Sequence, residues 1–112
     1  MLLRDNVIFM KISIADALKK GIEAHKRGQI RLADEIYSSI LEVEPNNPDA
    51  NHNKGVVLAQ TGKFEQSLVF FKTAVESNPN QEQIWLSYID TFVKLKQYDQ
   101  AKKYMAQGRE RG

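Results

Sequence analysis

Residues 21–50 read GIEAHKRGQIRLADEIYSSILEVEPNNPDA, and residues 55–84 read GVVLAQTGKFEQSLVFFKTAVESNPNQEQI. Landmarks shared by the two stretches are each separated by 34 positions without a gap: Gly21 and Gly55, Gly28 and Gly62, Ala33 and Ser67, Tyr37 and Phe71, Pro45 and Pro79. A weaker third copy has Ile89, Lys96, Ala101 and Met105 at the same offsets. A fixed period of this length predicts an array of stacked structural units.

Glycine and proline divide each unit into two helices. Gly28 and Gly62 are placed to end the first helices, where a left-handed residue is favoured. Pro45 and Pro79 follow the second helices, since proline cannot continue a helix. We predict helices at 13–27, 30–44, 48–61, 64–77, 81–95 and 98–109, and no sheet, because no segment shows sustained period-two alternation.

Polar residues at the predicted helix starts support these boundaries. Ser13 with Asp16 is a candidate capping box for the first helix. Asn47 before Pro48 is typical of an N-cap with proline at the first helical position. Asn80 is predicted to cap the fifth helix in the same way.

Small and large residues alternate at the predicted helix contacts. Gly21 and Gly55 allow the second helix of each unit to approach closely, and Ala33, Ser67 and Ala101 do the same from the other side. A larger residue at these positions would overpack the contact. Large side chains are predicted to fill the core between helices, and they are Tyr37, Phe64, Phe70, Phe71, Trp85 and Tyr98.

Composition excludes several classes of function. The 112 residues carry 16 basic and 14 acidic side chains, for a net charge of +2, which is too balanced to indicate a nucleic-acid or anionic membrane partner. The absence of cysteine excludes disulfides and thiolate chemistry. No stretch approaches the apolar length needed to cross a bilayer. The start, MLLRDNVIFM, does not read as a signal peptide, because Arg4 and Asp5 interrupt it.

The repeat resembles the tetratricopeptide motif, with its period of 34 and its Trp, Gly, Tyr, Ala, aromatic and Pro positions. The resemblance implies an all-α fold, in which three antiparallel helix-turn-helix units form a right-handed superhelix. We expect a domain over 13–112, with units at about 14–47, 48–81 and 82–112. Residues 1–12 form an N-terminal extension, read as a strand, a helical turn or a leader before a start at Met10.

The resemblance also implies that the first helices line a concave face that binds a protein or peptide. The partner-binding residues predicted on this face are Lys19, Ile22, His25, Lys26, Asp49, His52, Asn53, Val56, Gln60, Gln83, Ser87, Asp90 and Lys94. Leu18, Leu86 and Val93 extend the apolar part of the same face. Only Asn53 matches the clamp with which chaperone-binding members hold a terminal carboxylate, so we do not expect carboxylate capture.

Catalytic equipment is not indicated by the sequence. His25 and His52, with Asp49 three residues before His52, are a poor metal signal, and GKFEQS is a turn between helices rather than a phosphate-binding loop. We therefore expect no enzymatic activity, no cofactor and no metal. Cysteine absence and the lack of a signal peptide favour a cytoplasmic location.

Two further readings concern the ends of the array and its wider context. The apolar residues Leu2, Leu3, Val7, Ile8, Phe9 and Ile12, together with Tyr104 and Met105, predict exposed apolar patches at the ends. They indicate either a fragment of a longer protein or a homodimer, the latter giving a self-assembling scaffold. The stretch RLADEIYSSILEVEPNNPDA at residues 31–50 also resembles repeats ahead of bacterial glycosyltransferase, methyltransferase or sulfotransferase domains, which makes a non-catalytic module of a larger bacterial enzyme an alternative.

Overall fold

Six α-helices in series make up the part of the chain that the structure describes. The structure is a computed structural model, which describes the backbone of residues 3–111 and the side chains of residues 13–110. Within that range there is no strand. The helices are α1 (Leu3–Lys26), α2 (Ile30–Val43), α3 (Pro48–Gln60), α4 (Phe64–Ser77), α5 (Glu82–Lys94) and α6 (Tyr98–Arg111).

The helices stack in chain order into an elongated array with extents of 52 × 30 × 19 Å. Each helix packs against the next, and the first helices of neighbouring units also contact each other, α1 with α3 and α3 with α5. Over residues 3–111 the second helices α2, α4 and α6 make no such contacts with one another. The first helices therefore lie on the inner side of a curved array.

Close approach of the paired helices depends on a glycine facing an aromatic ring. A Cβ added to Gly21 would lie 2.6 Å from Cε1 of Tyr37, and one added to Gly55 would lie 2.5 Å from Cε1 of Phe71. Neither ring can easily move aside, since Tyr37 is 0% and Phe71 1% exposed. The prediction that small residues at these positions permit close helix packing is confirmed.

The turns inside the three units share one backbone conformation. Gly28 and Gly62 have φ of 79° and 80°, in the left-handed region that glycine occupies without a steric penalty. Lys96, at the same position of the third unit, has φ of 61°. The third turn therefore keeps the geometry of the other two at the cost of a strained lysine.

Two predicted helix starts are wrong, and one is confirmed. Asn47 caps α3, because its side-chain oxygen accepts a 2.9 Å hydrogen bond from the amide of Ala50. The cap of α5 is Gln81 rather than Asn80, and Gln81 makes no side-chain cap bond. Ser13 does not begin α1, because the helix already runs from Leu3. A strand over residues 3–12 is thus also wrong.

The core consists of two clusters, each of which crosses a unit boundary. One cluster joins Ala24, Ala33, Tyr37 and Val57, and so links α1 and α2 to α3. A second cluster links α4, α5 and α6, and its buried members are Phe71, Ala74, Val75, Ile84, Trp85, Tyr88, Phe92 and Ala101. The core role of Trp85 is confirmed. Tyr98 is an exception to the prediction, because it is 54% exposed at the start of α6.

One prediction about the ends falls outside this description. The apolar patch expected on residues 2–12 lies beyond the residues whose side chains the structure describes. At the other end, Met105 is 41% exposed, whereas Tyr104 is partly buried and stacks on Phe92, with ring centroids 5.4 Å apart.

Candidate protein-binding surface

The predicted binding residues all lie on α1, α3 and α5, the helices of the inner side. They divide by exposure into two groups. The exposed group comprises Lys19, Lys26, Asp49, Gln60, Gln83, Asp90 and Lys94. The partly buried group comprises Ile22, His25, His52, Asn53, Val56 and Ser87.

Four of these residues form two hydrogen-bonded pairs, and each pair crosses a unit boundary. His25 Nε2 lies 2.6 Å from Oε1 of Gln60, which joins α1 to α3. His52 Nε2 lies 2.8 Å from Oγ of Ser87, which joins α3 to α5. Each histidine thus bonds a residue of the next first helix, 35 positions later in the chain.

Each histidine also lies against the aromatic residue of its own unit. The His25 ring meets Tyr37 edge-on at 6.5 Å, and the His52 ring lies 5.7 Å from Phe71. Burial lowers the pKa of His52, and the carboxylate of Asp49 partly opposes that shift. His52 is therefore favoured in its neutral form, in which the ring links two units instead of carrying a charge.

An open depression on α5 is an exposed apolar feature of this face. It is lined by Leu86, Ile89 and Val93, with polar side chains at its edge, and has a volume of about 460 Å³. Leu86 is 50% and Val93 42% exposed. These residues are two turns apart on one helix, so they form one continuous apolar strip.

Charge is distributed unevenly along the inner face. Lys19 and Lys26 place two exposed basic groups on α1. Asp49 and Asp90 place single acids on α3 and α5, and Lys94 lies at the end of α5. Among the predicted binding residues, the basic groups are therefore in excess on α1, and the exposed apolar strip lies on α5.

Metal-ligand geometry is not found on this face. The part of the chain that the structure describes holds no group of three or more His, Asp or Glu side chains arranged around a common point. The two histidines instead contact the neighbouring helices.

A family comparison agrees with the stacked helix pairs. The Tetratricopeptide repeat family matches residues 24–86 and, in a second overlapping match, residues 58–112. The chain belongs to the tetratricopeptide repeat family. Its three units and superhelical stacking are those of the family fold. Comparison with curated proteins gives no match.

Solved structures of tetratricopeptide proteins superpose on most of the chain. The TPR2B domain of yeast Sti1, in complex with an Hsp70 peptide, is 18% identical with a TM-score of 0.82, covering 89% of this chain and 80% of that domain. The first TPR of Spaghetti (RPAP3), bound to an HSP90 peptide, is 20% identical with a TM-score of 0.79, covering 88% and 78%. A point mutant of MamA is 19% identical with a TM-score of 0.76, covering 89% and 73%. At these identities the likeness concerns the fold.

Membrane-spanning segments are not found in the described part of the tetratricopeptide chain, because none of its helices combines the required length and apolar character.

A link between α2 of the first unit and α3 of the second was missed from the sequence. Lys54 Nζ lies 2.6 Å from Oδ1 of Asp34 and 3.0 Å from Oγ of Ser38, and it sits 5.7 Å from the Phe70 ring. The Lys54 side chain is only 16% exposed, so its charge is stabilised by these contacts. Nothing in the 34-residue pattern predicts this link, since the equivalents of Asp34 and Lys54 at the next unit boundary are Leu68 and Tyr88.

A terminal groove between α5 and α6 was also missed. It has a volume of about 380 Å³ and is lined mainly by Trp85, Leu86, Ile89, Met105 and Gly108. Trp85 Nε1 donates a 2.7 Å hydrogen bond to the carbonyl of Pro79, which fixes the indole at the floor of the groove. The sequence predicts that Met105 belongs to an exposed apolar patch, but it does not predict the shape of the groove around Met105.

Proposed function

We propose that this chain is a non-catalytic scaffold that binds an extended peptide or protein segment across its first helices. The observation that carries the proposal is the exposed apolar strip of Leu86 and Val93, on the inner side of a curved array and bordered by polar side chains. Exposed apolar surface rimmed by polar groups is typical of a binding site for another protein. The peptide complexes of the Sti1 and RPAP3 domains support this use of the fold.

The proposed binding mode differs from terminal-carboxylate capture. Leu18 and Ile22 stand where the carboxylate clamp of chaperone-binding members would need polar donors, and Gln83 and Ser87 replace its later basic residues. Ser87 is moreover engaged by His52. The proposed partner is therefore an internal extended segment, with apolar side chains on α5 and acidic side chains toward Lys19 and Lys26.

Random peptides displayed on phage and selected on the immobilised chain test this proposal. Synthetic versions of the enriched peptides are then titrated against the wild type and the double variant Leu86→Asp, Val93→Asp. We expect the double variant to bind at least tenfold more weakly. The matched control is Val69→Asp, which changes a 63% exposed valine on α4 and leaves binding unchanged.

Two results would contradict the proposal. Equal binding by wild type and double variant would place the peptide elsewhere on the molecule. Equal losses in the double variant and in Val69→Asp would show a non-specific effect of added negative charge. Circular dichroism of all variants separates loss of binding from loss of fold.

We also propose that the protein is bacterial and that it is located in the cytoplasm. The alternative of a module preceding a transferase domain also stays a prediction, and the reading frame beyond codon 112 in the source genome tests it. Self-association through the ends of the array is the remaining candidate, and the exposure of Met105 favours it.

A further inference from the structure

The terminal groove repeats, in an uncovered form, a contact that the array makes internally. Within the array, α5 covers Phe71, Ala74 and Val75 of α4, which are 1%, 0% and 4% exposed. The residues 34 positions later are Met105, Gly108 and Arg109, and they line the terminal groove. The groove therefore lies where a further helix would pack on α6 if it packed in the way that α5 packs on α4.

The chain itself contains a helical segment that the repeat does not use. α1 has 24 residues, whereas α3 and α5 have 13 each. By the 34-residue period, the part of α1 equivalent to α3 begins at residue 14, so residues 3–13 precede the repeat. Eleven helical residues are roughly 16 Å long, which is close to the length of one first helix.

The composition of this segment matches the groove. Residues 7–10 are Val-Ile-Phe-Met, an apolar run suited to a seat formed by Trp85 and Met105. The match is apolar rather than ionic, because residues 3–13 contain two basic residues, Arg4 and Lys11, and one acid, Asp5.

The segment must reach the groove from a second molecule. Over residues 3–111, α1 contacts α2 and α3 but neither α5 nor α6. Because the units stack in chain order, the groove of a molecule lies at the end of the array opposite its own α1.

We propose that two copies of this chain associate head to tail, with the first turns of α1 of one copy seated in the groove between α5 and α6 of the other. The contact is heterologous, because it joins two different surfaces. It uses neither Val93 nor the α1–α3 hydrogen bond, although it shares Leu86 and Ile89 with the apolar strip of the inner face. Met105 lines the groove but not that strip, so a change at Met105 tests the contact separately from peptide binding.

The test uses full-length variants that break one side of the contact at a time. Met105→Glu puts a charge into the groove at a position that is already 41% exposed, so the fold is retained. The triple variant Val7→Glu, Ile8→Glu, Phe9→Glu makes the segment polar with residues that favour helix. Val69→Glu, on the exposed outer side of α4, is the control.

Light scattering after size exclusion measures the mass. We expect the wild type and Val69→Glu to exceed the 12.8 kDa monomer increasingly with concentration, and the other two variants to remain monomers. An equimolar mixture of Met105→Glu and the triple variant should form a 1:1 complex, because the first still has the segment and the second still has the groove.

Three outcomes would overturn the proposal. A wild type that stays monomeric at millimolar concentration would mean that another molecule, or a further part of a longer chain, covers the groove. Association that survives Met105→Glu would place the contact elsewhere. A mixture of the two variants that stays monomeric would show that the groove and the segment do not bind each other.

Discussion

Replacing Gly55 by alanine tests the close approach of the paired helices. The new Cβ would lie 2.5, 2.7 and 3.0 Å from three ring atoms of Phe71, all far inside ordinary contact distance. Because the ring is 1% exposed, it cannot swing into solvent. Overpacking of this kind costs about 1–3 kcal/mol. Alanine regains about 1 kcal/mol of helix propensity, so we expect a net destabilisation of about 1 kcal/mol.

The matched control is Gly108→Ala, the same change at a glycine of α6. There the added Cβ would lie 3.6 Å from the Trp85 ring, an ordinary van der Waals contact. The variant therefore keeps the gain in propensity, reduced by its place in the last turns of α6, and is expected to be more stable by about 0.5 kcal/mol. Since both variants share the propensity term, the difference between them of about 1–3 kcal/mol is mostly the overpacking cost.

Urea unfolding followed by circular dichroism at 222 nm provides the measurement, because it reports on every unit of the array. A change of 1 kcal/mol corresponds to roughly 4–8 °C in melting temperature at about this domain size. In the background of Phe71→Leu the cost of Gly55→Ala should shrink by about 1–2 kcal/mol, as a double-mutant cycle would show. If Gly55→Ala is as stable as Gly108→Ala, the ring does not occupy the space that the structure gives it.

Three further changes have expected outcomes. Lys96→Gly should stabilise the chain by about 0.5–1 kcal/mol in urea unfolding, because glycine removes the left-handed strain at φ of 61°; a loss of stability would contradict that strain. Tyr37→Phe should be neutral or stabilising by up to about 1 kcal/mol, since the buried hydroxyl has no hydrogen-bond partner among residues 13–110, and a clear loss would reveal a partner. Burial lowers the pKa of His52 below 6.5, so the unfolded state binds a proton first and unfolding free energy should fall as pH drops through about 6.5. Urea midpoints at pH 5.5 and 7.5 should differ less in His52→Gln than in the wild type, and an equal difference would exclude His52 as the cause.

The helix pairs could be predicted from the sequence because the period and its breakers are local signals. The two helix starts that were predicted incorrectly, those of α1 and α5, show the limit of these local signals. Ser13 has the same repeat position as Asn47, but two residues ahead of it the chain has Lys11, where Pro45 precedes Asn47. Without a proline to end the preceding turn, α1 runs on toward its N-terminus. Gln81 likewise holds the repeat position of Asn47, although the side-chain amide of Gln81 pairs with Asn78 instead of with the backbone.

The binding face could be predicted only as a set of positions. The repeat places His25, His52 and Ser87 on the inner helices, yet their hydrogen bonds depend on the distance between helices of different units. That distance depends on packing between units, such as that of Tyr37 with Val57 of α3, which the residue pattern does not convert into a distance. Four side chains that the sequence predicts to bind a partner, those of His25, Gln60, His52 and Ser87, are instead hydrogen-bonded between units.

The third unit has a looser contact in place of the one on which the other two depend. In the first two units the glycine lies on the first helix and the ring on the second, as with Gly55 and Phe71. In the third unit the ring is Trp85 on α5 and the glycine is Gly108 on α6. Met105 holds the repeat position of Tyr37 and Phe71, so α6 has no ring at that position, and Met105 lines the terminal groove instead. The surface that a second copy is proposed to use thus follows from the same steric rule that pairs the helices.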